Sequence, residues 1–242
     1  MKKIALLLII VLIAVSCKQE KTKNIVAEIT GVPDGRMVIL KKQVDGKIVN
    51  IDTTKVVNGK FGFAFKPKEP MVVGIFIDSI RQGIFPLIDP KDKISIKADK
   101  DSLLKAKITG SKLNDDLTNL RKFRDEHTAK IMSKSAEFRK AQQANDTATL
   151  NRLNKEAREV QKVIAQHEWQ YIKTHPNSFV TPMVLGGFIH NPQYKDSVKI
   201  VFDNLSDKVK NSKIAANLKK YFESQNVEGN DKIKFTPKKK SK

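Results

Sequence analysis

The feature that most constrains the fold is a change of hydrophobic period at Gly110-Ser111, about midway along the 242-residue chain. Before it, apolar residues recur every second position, as a half-buried strand requires; after it they recur every three to four, as an amphipathic helix requires. Neither pattern can be satisfied by the other backbone. The chain is therefore expected to be α+β, with an N-terminal antiparallel β-sandwich or open barrel followed by an α-helical domain built on a long helical hairpin.

Within the first half, Ile25, Ala27 and Ile29 share one face of a strand, and Gly31-Val32-Pro33-Asp34-Gly35 turns the chain into a second strand from Met37 to Leu40. Asp45-Gly46 and Asn58-Gly59 are dipeptides that supply the positive φ angles of tight hairpins. Further strands are expected at Met71–Asp78, Gly83–Asp89, Ile94–Ala98 and Ala106–Thr109, with Pro67, Pro70 and Pro90 at the junctions. Phe61, Phe63, Phe65, Phe76 and Phe85 are read as core.

In the second half, Ser111 is placed to cap a helix whose first turn carries Asp115 and Asp116 near the positive end of the helix dipole. The pattern Leu113, Leu117, Leu120 carries this helix to about Ala144. It restarts at Asp146 or Thr147 and runs to about Lys173. The Lys, Arg and Glu residues of the pair, such as Glu159 and Lys162, are read as solvated faces. His175-Pro176-Asn177-Ser178 stops the second helix, and shorter helices are expected at Phe179–Ile189, Gln193–Val209 and Ile214–Gln225.

The beginning of the chain carries a different signal. Lys2 and Lys3 precede an apolar run from Ile4 to Val15, too short to span a bilayer as a stable helix, and then come Ser16 and the only cysteine. Ala14-Val15-Ser16-Cys17 resembles the bacterial lipobox, with Ala14 where Leu is more usual. That resemblance implies cleavage before Cys17 and lipid, palmitate included, on its thiol and new amino group. Several acyl chains, at roughly 0.8 kcal/mol per buried methylene, anchor a protein durably where one does so only marginally. The expected organisation is a lipoprotein signal peptide at 1–16, lipidated Cys17 and a tether at 17–23, the β-domain at 24–110, the helical domain at 111–228 and a basic tail at 229–242.

With Cys17 committed to lipid, no thiol remains for a disulfide, a Cys-x-x-Cys pair or a thiolate metal site. The net charge of +20 points to an anionic neighbour such as lipid head groups, envelope polysaccharide or an acidic protein. Nucleic acid is disfavoured because the lysines are scattered and no zinc-finger or RNP motif accompanies them.

Several motifs then take on a family likeness. Gly31 to Gly35, Ile51-Asp52-Thr53 before Val56, Asn58-Gly59-Lys60-Phe61 and Thr109-Gly110-Ser111-Lys112-Leu113-Asn114 resemble the uncharacterised N-terminal β-domain of Bacteroidetes thioredoxin-like envelope lipoproteins of the TlpA or AhpC/TSA type. The helical stretch with His175 to Ser178 is similar to the connector that follows it in those thiol:disulfide interchange proteins. Lys232 to Pro237 resembles the strand that leads into their thioredoxin fold, and the expectation is a protein that lacks that fold.

Chemistry-bearing patterns are sparse. His127, His167, His175 and His190 fall in no ligand spacing, and His167-Glu168 begins a zincin motif without its second histidine. Gly186-Gly187 is read as close helix packing, and Asp115 with Asp116 as dipole compensation. No catalytic residue, metal or cofactor is assigned. The expectation is a non-catalytic envelope lipoprotein that binds an envelope protein or an anionic envelope polymer, held to the membrane through Cys17. It is placed at the outer membrane facing the periplasm, with the cell surface as the alternative, and its oligomeric state is left open. The resemblance implies a second possibility, a docking or regulatory subunit acting in trans with a separate thioredoxin-like oxidoreductase.

Overall fold

A computed structural model describes residues 22–44 and 46–231 of the chain. The signal segment, Cys17, tether residues 18–21, Asp45 of the Asp45-Gly46 turn and the tail from 232 onward lie outside the described residues.

Among the described residues, nine strands occupy the first half: β1 Ile25–Thr30, β2 Met37–Val44, β3 Lys47–Lys55, β4 Lys60–Phe63, β5 Met71–Ile77, β6 Gly83–Ile84, β7 Leu87–Ile88, β8 Ile94–Asp99 and β9 Lys107–Thr109. They form two sheets, ordered β4-β1-β8-β9 and β3-β2-β5-β6, with β7 paired to the other end of β5. All pairings are antiparallel except β1 with β8, which lie parallel with Ile25 opposite Ile94. A parallel pair needs a long crossover, and here the second sheet supplies it between the two strands. The alternation works as expected: Ile25, Ala27 and Ile29 from one sheet and Val38, Val73 and Ile75 from the other belong to one buried core.

The turn motifs are fastened to each other. Asn58 and Gly59 have φ angles of 51° and 70°, and Val57 and Lys60 exchange both backbone bonds across them at 2.9 and 3.0 Å. This is the two-residue hairpin the dipeptide encodes. Asp34, from the turn after β1, accepts the Asn58 and Gly59 N–H groups at 2.9 and 3.2 Å, satisfying donors that would otherwise face solvent.

Two aromatic expectations need correction. Phe61 and Phe63 are buried, but Phe76 and Phe85 lie on the outer face of the second sheet, where Phe85 is 51% exposed and meets Phe76 edge to face at 5.7 Å. Because Val73, Ile75 and Ile77 take the inner positions of β5, the strand's period of two turns Phe76 outward. Its ring covers Gly74 and Gly83, where an added Cβ would come within 2.5 and 2.9 Å of ring carbons.

The helices are α1 Lys112–Met132, α2 Ser135–Gln143, α3 Thr147–Thr174, α4 Thr181–Leu185 with a 3-10 turn at Gly186–Phe188, α5 Lys195–Asp203, α6 Asp207–Lys210 and α7 Ala216–Asp231. Asp146 caps α3 by accepting the Thr149 N–H at 3.0 Å. Contacts of Asp116 with Tyr171, Arg124 with Glu168 and Lys134 with Glu156 climb one arm as they descend the other, so the pair is an antiparallel hairpin. At about 1.5 Å per residue, the 28 residues of α3 span roughly 42 Å.

The first arm is not one helix. It breaks at Ser133-Lys134, where the Ser133 hydroxyl donates to the Lys130 carbonyl at 2.9 Å and Lys134 reaches Glu156 on α3. A serine hydroxyl bonded back to its own helix competes with the regular ladder, and no glycine or proline marks the place. The expected helix from Gln193 to Val209 likewise divides at Asn204–Ser206, where the Ser206 N–H donates to the Pro176 carbonyl at 3.2 Å.

Candidate interaction surface

The polar motifs singled out in the sequence converge on two joints. The first is where α1 leaves the β region. Gly110 has φ of 85°, and a Cβ there would sit 2.2 Å from the Lys93 carbonyl oxygen, so only glycine lets the chain pass β8 this closely. Ser111, extended, caps α1 through the Asn114 N–H at a long 3.5 Å. Asn114 itself is buried: its Oδ1 accepts the Leu87 N–H at 3.0 Å and its Nδ2 donates to the Leu87 carbonyl at 2.6 Å. One amide thus satisfies both backbone groups of a residue on β7 and locks α1 to it. Leu87 packs beside Leu120 of α1 and Val180 in a small core shared by sheet and helices.

The second joint ends α3. His175 stacks on Tyr171 at 4.1 Å, with its Nδ1 3.0 Å from the Tyr171 carbonyl and 2.9 Å from the Thr174 hydroxyl. Ser178 Oγ lies 3.0 Å from the Tyr171 hydroxyl and accepts the Val180 N–H, while Tyr171 donates to Asp116 on α1 at 3.1 Å. Buried Thr181 donates to the His175 carbonyl at 2.5 Å. Burial pushes the Tyr171 phenol well above its ordinary range, opposed by the Ser178 hydroxyl and reinforced by the negative charge of Asp116. The phenol therefore stays protonated and acts as a donor. His175 Nδ1 is committed to backbone and Thr174, so Ser178 has phenol and amide as neighbours where a nucleophile would have a base. The Asp115-Asp116 pair divides: Asp115 lies in the first turn of α1, and Asp116 joins this network with Lys112 at 3.3 Å.

The remaining histidines stay apart. His127 and His167 stack on Phe123 at 4.1 and 3.7 Å, next to the Arg124–Glu168 ion pair, whose glutamate is buried. His190 meets Tyr221 edge to face at 5.9 Å. Among the described residues no group of three or more His, Cys, Asp or Glu could hold a metal ion. Gly186 and Gly187 do not serve close packing as expected, since an added Cβ at either would have nothing within 4 Å. They lie in a 3-10 turn on an open side of the helical core.

A concave surface lies on the helical hairpin, among charged residues that the sequence pattern marks as solvated. At the break between α1 and α2, two adjoining recesses of about 510 and 340 Å³ open against α3. Ile131, Met132, Phe138, Leu153, Ala157 and Val160 form their apolar floor, with Met132 64% and Phe138 37% exposed. The rim is a charged chain: Lys134 to Glu156, Glu156 to Arg152 at 2.7 Å, and Arg152 to Glu137. The Lys134 ammonium and then the Arg152 guanidinium hold the Glu156 carboxyl below its ordinary range. An apolar groove with fixed charges at its edge can seat an amphipathic segment. Its signal in the sequence was Met132 and Phe138, apolar residues off the buried stripe.

The architecture is that of an α+β protein in which two antiparallel-rich sheets precede long helices. Residues 24–117 match a family model described as a domain of unknown function, DUF4369. The match covers both sheets and the first turns of α1, so the Gly110–Asn114 joint lies inside it. No curated protein and no solved structure matches the chain.

Proposed function

We propose that this protein is a membrane-anchored envelope lipoprotein, held through Cys17 and acting as a non-catalytic interaction module. The observation that carries the interaction role is the groove between α1, α2 and α3, whose floor exposes Met132 and Phe138 inside a charged rim. The anchor rests on the Ala14-Val15-Ser16-Cys17 sequence behind a short apolar run. Supporting the non-catalytic reading, Asn114, His175, Ser178 and Tyr171 are each spent on a joint between elements. The outer membrane facing the periplasm is the proposed location, with an envelope protein as the partner.

The test is crosslinking in intact cells, comparing wild type, Cys17→Ala and the double variant Met132→Ser/Phe138→Ser. An envelope protein recovered with wild type and lost with the double variant supports the groove; equal recovery with both removes it. Fatty-acid label on wild type and none on Cys17→Ala supports the anchor. The resemblance of Thr109–Asn114 and His175–Ser178 to thioredoxin-like lipoproteins favours one partner class, a thioredoxin-like oxidoreductase served in trans. Its consistent lack among recovered proteins would eliminate that alternative.

A further inference from the structure

We propose that the outer face of the β4-β1-β8-β9 sheet is a docking face for an anionic phospholipid surface, so that the body lies against the bilayer that holds its anchor. The proposal rests on the lipid-anchor reading of Cys17.

Strand register sets Lys60, Glu28, Lys97 and Lys107 side by side in one row across β4, β1, β8 and β9. Their in-register neighbours Phe61, Ala27, Ile96 and Ile108 turn inward, so these four turn outward, and all four are exposed. Lys97 and Lys107 are directly opposed, and like charges at directly opposed positions destabilise a sheet. Among the described residues none of the four enters an ion pair.

Edge protection accounts for part of the row, since β4 and β9 are the sheet's edges and lysine there discourages strand pairing. It does not account for Lys97, on interior strand β8. The next row of the face, Gly62, Val26, Ser95 and Thr109, carries short side chains, so nothing long stands between the lysine row and a planar surface. Glu28 and Asp99 are the acids on the face, and Asp99 Oδ1 already accepts the Asp101 N–H at 2.9 Å.

The chain's own path selects lipid as the occupant. A Cβ at Gly62 would come within 2.8 Å of the Ile25 carbonyl oxygen and 3.0 Å of Lys23 Cδ, so the Lys23 stem lies over this face beside the glycine. Lys23 thus lies over the face just before β1, and Cys17 is no more than about 20 Å of extended chain from it. A lipid on Cys17 brings this face, with a fourth lysine, within reach of head groups. Each lysine near an anionic surface strengthens attachment about fivefold at low ionic strength, and salt weakens it over a Debye length.

The test uses the full chain, purified in detergent and transferred to phosphatidylcholine vesicles with and without phosphatidylglycerol, some head groups carrying an energy acceptor. A donor fluorophore sits on Thr109→Cys, at the face, or on Ile200→Cys, on α5. The expected result is greater transfer from position 109 than from 200, dependent on phosphatidylglycerol and reduced by salt. Lys60→Ser/Lys97→Ser/Lys107→Ser should abolish the gain with a melting temperature no lower than the wild type's, since the opposed Lys97–Lys107 pair is relieved, and Glu28→Gln should raise the gain. Transfer from 109 indifferent to phosphatidylglycerol, salt and both variants overturns the proposal, as does capture of the face by a soluble anionic polysaccharide in place of vesicles. Flotation at high salt reads the anchor separately: its loss with the low-salt gain at 109 retained would refute the anchor reading and leave the face standing.

Discussion

Replacing Asn114 by alanine should unfasten the helical hairpin from the sheets. The side chain satisfies both the N–H and the carbonyl of Leu87, a residue with 0% exposure, so truncation strands one buried donor and one buried acceptor. Each stranded group costs about 1–3 kcal/mol. Water entering the small space recovers part of this, and a net loss of about 3 kcal/mol is expected. The assay is urea unfolding followed by fluorescence of Trp169, which packs against Phe188 and Tyr194 in the helical core, and by far-ultraviolet circular dichroism. In the wild type the two probes should report one transition; in Asn114→Ala they should separate as the sheets and helices lose their coupling. Asn114→Asp keeps the acceptor for the Leu87 N–H but sets a carboxylate against the Leu87 carbonyl. Its defect should be larger at neutral pH than in acid, where a protonated carboxyl can donate again. A loss below about 1 kcal/mol with coincident transitions would refute the assignment of this amide as the lock.

Gly110→Ala combines φ of 85° with a Cβ 2.2 Å from the Lys93 carbonyl, so a thermal melt should reveal destabilisation of at least about 2 kcal/mol. Tyr171→Phe removes the hydroxyl between Ser178 and Asp116, and its chemical-denaturation midpoint should fall by the equivalent of about 1 kcal/mol, since the ring and its stack on His175 remain. Glu156 is held below the ordinary carboxylate range by Lys134 and Arg152, so its contribution is present above the unfolded-state pKa and disappears as pH falls through the lower folded value. At this exposed site the effect is small and screened by salt, and acid melts of Glu156→Gln should lack that step. Met132→Ser/Phe138→Ser should stay folded with a modest fall in melting temperature, Phe138 being 37% and Met132 64% exposed, while losing crosslinked partners; Met132→Ser alone should melt like the wild type and weaken the crosslink.

Legibility in the sequence followed the range of the interaction. The caps at Ser111 and Asp146 and the Asn58-Gly59 hairpin are local devices, so a few adjacent residues suffice to recognise them. Thr109 to Asn114 and His175 to Ser178 stood out as motifs without disclosing their use. Asn114 meets Leu87 across 27 positions and Tyr171 meets Asp116 across 55, and no periodicity announces such partners. Phe76 and Phe85 depart from the expected burial for a related reason. Aromatic character suggests burial, but the register of β5 decides which face a residue joins, and there two glycines make an outer bed for the ring.

The sequence by itself determined the order of the architecture, strands and then helices, because hydrophobic period dictates which backbone can bury an apolar stripe. It also determined the tight turns and helix starts, which depend on single-residue φ preferences and neighbouring side chains. Tertiary structure alone decided that β1 and β8 pair in parallel, that the first arm breaks at Ser133-Lys134, and that Met132 and Phe138 face an open groove. Each of these depends on which distant backbone or side-chain group supplies a hydrogen bond, an ion pair or cover from water, and that supply exists only once the chain has folded.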